Sequence, residues 1–153
     1  MNRETELEIW NRVRGPGLLN AEQALLPERL EQTILDQKQN AAELRQLSRR
    51  FGGRDGGRLS RMAAQNDAGA RELTALHYLL TGRRLRLMPK SEPLPRDLPE
   101  ALRQACLRQQ QAAKSFAALG REFSEWADTF SRMERAARSR FEDLSRLMEA
   151  QLR

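Results

Sequence analysis

The sequence predicts an all-α protein: four long helices paired into two antiparallel hairpins, joined by one long crossover and preceded by a short helix. Three observations predict it. β-branched residues are scarce, with Val13 the only valine and Ile9 and Ile34 the only isoleucines, while Ala, Leu, Gln, Glu and Arg abound. Apolar residues recur at helical spacing over four long stretches. Glycines and prolines cluster between those stretches, where breaks are needed.

Residues 3–13 read as a short amphipathic helix with Leu7, Trp10 and Val13 on one side, ended by Gly15-Pro16-Gly17. Together with a connector, this makes residues 1–27 a leading segment and 28–153 the bundle. The first long helix is expected over 28–51, with Leu30, Ile34, Ala41, Leu44 and Phe51 inward. Residues 52–57, GGRDGG, read as a turn, because consecutive glycines lose much backbone entropy in a helix. The second helix is expected over 58–81, with Leu59, Met62, Leu73, Leu76 and Leu80 inward and Gly82 ending it. Pro89, Pro93, Pro95 and Pro99 make the following stretch, 83–99, extended. The third helix is expected over 100–119, with Leu102, Cys106, Ala113 and Phe116 inward and a turn at Gly120. The fourth is expected over 124–152, with Trp126, Phe130, Met133, Phe141, Leu144 and Met148 inward.

Connection lengths carry the topology. Short links make the first and second helices one antiparallel hairpin, and the third and fourth another. A helix of ~24 residues is about 36 Å long, whereas an extended link of ~16 residues reaches about 50 Å. The link between the hairpins can therefore cross the whole bundle.

The chain has 153 residues, 39% hydrophobic and 31% charged, enough for one core inside a charged shell. Cys106 is the only cysteine, which excludes an intramolecular disulfide and makes a cytoplasmic location the expectation. No apolar run approaches the roughly 20 residues of a membrane helix, and the start MNRETELEIW does not read as a signal peptide. His77 is the only histidine, so one chain offers no histidine metal cluster and no catalytic triad; its place near a helix end suggests packing or surface exposure. The net charge is +6, with 24 Arg against 3 Lys. The basic residues form two groups: Arg49, Arg50, Arg54, Arg58 and Arg61, then Arg83, Arg84, Arg86 and Lys90. An antiparallel hairpin puts these groups at opposite ends, which argues against one nucleic-acid-binding stripe.

The two halves repeat weakly. Gln37 interrupts the first stripe between Ile34 and Ala41, and Gln109 interrupts the third between Cys106 and Ala113. Asn66 and Gly69 precede Leu73, as Glu134 and Ala137 precede Phe141. With its string MAAQNDAGARELTALHYLLTG over 62–82, the chain resembles the rubrerythrin-like branch of the ferritin-like superfamily across residues 28–150. The resemblance implies a four-helix bundle in which the first and third helices each give a Glu, and the second and fourth each give Glu-x-x-His, to a di-iron centre. Laid on this chain, those ligand positions are Gln37, Asn66, Gly69, Gln109, Glu134 and Ala137, and only Glu134 keeps a ligating side chain.

Two iron ions need carboxylates and imidazoles. Amides, glycine and alanine do not supply them, so no metal and no cofactor is expected, and no catalytic residue is assigned. The polar residues are expected to hydrogen-bond among themselves and with Glu134, with Arg138 as a further partner; the alternative is that Glu134 turns to solvent. The expectation is a non-catalytic bundle that binds, scaffolds or assembles, with a homodimer or another protein as partner and no membrane. Two other readings stand beside it: an oxidoreductase or iron-handling protein with a displaced metal site, and a basic helical protein that binds polyanions.

Overall fold

The computed structural model describes residues 21–90 and 92–153, with the side chains of 21–24 left aside. The short helix expected over 3–13 lies outside these residues. Four helices are described: α1 (Ala21–Phe51), α2 (Gly53–Thr81), α3 (Leu98–Glu122) and α4 (Ala127–Leu152), with one 3-10 turn (Ser124–Trp126) before α4. Among the described residues there is no strand.

Each helix boundary has a local cause. α1 begins earlier than residue 28 and runs through Pro27. A proline inside a helix costs about 3 kcal/mol, but Leu26 and Leu30 on either side are both buried in the core and offset it. The glycine-rich turn is much shorter than six residues. Only Gly52 (φ 65°) and Gly53 (φ 56°) take left-handed backbone, and 54–57 already belong to α2. Gly56 lies inside α2, and packing requires a glycine there: a Cβ would lie 2.8 Å from the Ser48 carbonyl oxygen. The Ser48 hydroxyl also donates to the Gly56 carbonyl at 2.6 Å, so α1 and α2 nearly touch at this point. Gly82 ends α2 in left-handed geometry, its N–H donating to the Tyr78 carbonyl. Asp97 caps α3 by accepting from the Glu100 N–H at 3.1 Å. Gly120 remains helical, and the break falls at Phe123 instead.

Cross-helix pairs fix the directions. Arg45 pairs with Asp67 between α1 and α2. Cys106 meets Ser145, and Gln109 meets Arg140, so α3 and α4 run antiparallel. Arg29 with Glu122, and Arg108 with Glu43, make α1 antiparallel to α3. Glu72 with Arg132, and Gln65 with Arg140, do the same for α2 and α4. The link between the hairpins runs beside α1. Lys38 donates to the Leu87 carbonyl, Gln46 to that of Glu92, and Arg50 to those of Leu94 and Pro95. The chain thus returns along α1 before α3 starts.

The core is split into two apolar clusters. One holds Leu30, Ile34, Leu73, Phe116, Phe130 and Ala137. The other holds Ala41, Leu44, Leu59, Leu102, Cys106 and Leu144. Most of the expected stripe residues are buried, but Phe51, Leu80, Trp126, Phe141 and Met148 are only partly so. On α4 the buried residues are Phe130, Met133, Ala137, Arg140, Leu144 and Leu147. The face of α4 therefore turns inward at Arg140 and not at Phe141.

Candidate functional site

Between the two apolar clusters lies a layer of polar side chains, with every long helix contributing. α1 supplies Gln37 and Asn40, α2 Asn66, α3 Gln109 and α4 Arg140, and all five are buried. In sequence each falls where its helix passes from one cluster to the other. A bundle of this length buries its middle as fully as its ends. The side chains there must find partners or lose about 1–3 kcal/mol each.

Arg140 organises the layer. It is 4% exposed, its Nε donates to Gln109 Oε1 at 2.9 Å, and one Nη donates to Gln65 Oε1 at 3.3 Å. Both acceptors are neutral amides. Among the described residues no carboxylate pairs with Arg140. Burial pushes its guanidinium down to about 10, a sign of a desolvated cation without a counter-ion.

The amides of the layer are incompletely used. Asn66 donates to the Met62 carbonyl at 3.2 Å, while its Oδ1 has no hydrogen-bond partner among the described residues. Gln37 Oε1 faces Gly69, where a Cβ would come within 3.4 Å of it, and Gln37 Nε2 has no partner among the described residues. Two clefts open onto Gln37. One, of about 200 Å³, lies between α2 and α4 and includes Gly69, Phe116, Met133 and Arg140 in its walls. The other, of about 140 Å³, lies between α1 and α3 and includes Asn40 and Arg108.

Four of the six aligned ligand positions gather here: Gln37, Asn66 and Gln109 in the layer, and Gly69 on the wall of its larger cleft. Ala137 is buried in the adjoining apolar cluster. Glu134 stands apart. Its side chain is 21% exposed and its carboxylate lies 3.4 Å from Arg138, one turn along the same helix. Among the described residues it bonds none of the expected amides, of which only Gln109 is held by Arg140. The stripe spacing held the signal for this, since Arg140 follows Ala137 by three residues and precedes Leu144 by four.

The donor set does not fit a pair of iron or manganese ions. Among the described residues no three His, Cys, Asp or Glu side chains group to hold a metal. A dication about 5 Å from a guanidinium would be repelled by about 7 kcal/mol at an effective dielectric of about 20.

Glu43 and His77 are two further buried titratable side chains. Glu43 Oε2 lies 2.7 Å from Arg108 Nε, a close ion pair whose N–H is not aligned for a hydrogen bond. Burial raises the Glu43 carboxyl above its ordinary value, against the opposing effects of Arg108 and Gln104. His77 is fully buried and not at the surface. Its Nε2 lies 3.4 Å from Glu31, and its Nδ1 lies 3.3 Å from the Thr81 hydroxyl. Cys106 is a buried thiol pushed up by burial, with Ser145 as a weak partner at 3.9 Å. The basic residues Arg49, Arg50, Arg54, Arg58 and Arg61 are exposed around the α1–α2 joint. Among the described residues no helix is long and apolar enough to cross a membrane.

No family model, no curated protein and no solved structure matches this chain.

Proposed function

We propose that this chain is a non-catalytic bundle of the ferritin-like kind, in which the place of a di-iron centre has become a metal-free polar chamber, and that it serves as a binding or scaffold protein. The observation that carries the reading is Arg140. A fixed cation occupies the buried layer, held by the Gln109 and Gln65 amides, where the resembled proteins concentrate carboxylates. The helix directions and the long return along α1 support the kinship, because two antiparallel hairpins joined by one long connection form the ferritin-like arrangement.

Electrostatics sets this reading against an oxidoreductase or an iron-handling protein. One retained carboxylate, Glu134, is turned toward Arg138 and cannot neutralise two dications. The test is a thermal melt of the metal-stripped chain, titrated anaerobically with Fe²⁺ or Mn²⁺ against Mg²⁺. The expected result is no saturable rise in Tm specific to iron or manganese. A saturable rise would overturn the reading, since a ligand bound only by the folded state stabilises it.

A further inference from the structure

We infer that the cleft between α2 and α4 is a binding site for a small aliphatic monocarboxylate, whose carboxylate pairs with Arg140 and whose short apolar tail lies against Phe116 and Met133. The inference rests on reading the polar layer as a metal-free chamber.

Charge is the first argument. Arg140, Arg132 and Glu72 are the charged side chains lining this cleft. Glu72 and Arg132 neutralise each other through a two-pronged contact, leaving Arg140 as one unbalanced positive charge. A buried cation without a counter-ion is costly, and a planar carboxylate fits the fork of a guanidinium. Arg140 uses Nε and one Nη on amides, and among the described residues no acceptor is assigned to the other Nη.

Space and lining are the second argument. The cleft holds about 200 Å³, room for a small molecule only. Gly69 supplies part of that room by lacking a side chain. Gln37 lines the same space with its Oε1 toward Gly69, and its buried Nε2 lacks a hydrogen-bond partner among the described residues. Phe116 and Met133 are buried and apolar, which suits a hydrocarbon tail and not a second charge. A site with a few polar groups in an apolar wall is the usual form of a small-molecule pocket. One excess positive charge matches a monoanion better than phosphate.

The experiment compares Tm of the full chain in sodium butyrate, sodium phosphate and sodium chloride at matched ionic strength, with Mn²⁺ as a separate arm. Butyrate at ~100 times its dissociation constant should raise Tm by about 5–10 °C above chloride, and phosphate should not. Arg140→Gln should abolish the rise. Ala136→Leu, on the exposed rim of the cleft, should also abolish it while leaving the chloride Tm near the parent value, which separates blocked binding from failed folding. Equal melting in butyrate and chloride would overturn the inference. So would a butyrate effect that survives both substitutions, or a larger effect of phosphate. If butyrate fails and Mn²⁺ also gives no rise, the carboxylate site is overturned while the metal-free reading stands. If Mn²⁺ alone stabilises, the metal-free reading falls as well.

Discussion

Arg140 donates through Nε to Gln109 Oε1 at 2.9 Å, and the two side chains are buried together at the junction of the two apolar clusters. Neither residue is well placed without the other. The cation needs an acceptor, and the amide oxygen needs a donor. Gln109→Leu should therefore cost about 1.5–3 kcal/mol, the value of a hydrogen bond to a charged group. Arg140→Met removes the charge and leaves the amide unsatisfied, at about 1–3 kcal/mol. The double substitution replaces both with apolar groups and should cost less than the sum by about 1 kcal/mol or more. Urea denaturation of the four proteins measures this coupling, and strictly additive losses would show that the pair does not act together.

The α1–α2 joint makes a sharper steric prediction. Gly56→Ala forces a methyl to 2.8 Å from the Ser48 carbonyl oxygen and must move backbone, so about 1–3 kcal/mol should be lost. Gly57→Ala, whose nearest such contact is the flexible Arg61 guanidinium at 4.0 Å, should instead gain about 0.4–1 kcal/mol by restricting the unfolded chain. Equal effects at the two neighbours would mean that α1 and α2 do not approach as closely as described.

His77 gives a signed pH dependence. Burial holds its imidazole below the ordinary value, Arg83 pushes the same way, and Glu31 opposes both. As pH falls through about 6.5 the unfolded chain gains this proton before the folded chain does. The stability contributed by neutral His77 is therefore complete above that pH and lost as pH drops toward the lower folded-state value. Glu43, with its carboxyl raised, has the opposite slope at more acid pH, so a difference profile is needed. Thermal melts of the parent and of His77→Gln between about pH 5 and about pH 8 should diverge below about pH 6.5, with the parent falling more steeply. Parallel curves would remove His77 as the source.

Glu134 is the residue that a retained metal site would need most. Its carboxylate pairs with Arg138, four residues on, and its side chain is partly exposed. Glu134→Ala should cost no more than about 0.5 kcal/mol, as for other exposed helical ion pairs. A loss several times larger in denaturant melts would place its carboxylate inside the layer.

The helices were legible because their signals are local. Apolar spacing, Gly82 and the proline-rich link each act within a few residues of themselves, and the connection lengths then limited the topology. The polar layer was legible in part, since Gln37, Asn66 and Gln109 each interrupt an apolar stripe. Arg140 was missed because a charged side chain ordinarily marks the outer face of a helix. Phe141, one residue on, offered a more apolar choice for the inner face. The rotation of α4 that buries Arg140 depends on acceptors from Gln109 and Gln65 on two other helices. The extent of the glycine turn was missed for a similar reason. Gly56 is required by its approach to Ser48, a contact between helices, and not by local backbone strain.

The proposed function puts the buried cation of Arg140 where a di-metal bundle holds its ions. Its most direct test is the metal content of the chain, produced in medium rich in iron and manganese and purified without chelator. Elemental analysis should find well below one metal ion per chain, and the value should not change on Arg140→Gln. About two iron or manganese ions per chain, the load of a di-metal bundle, would contradict the account.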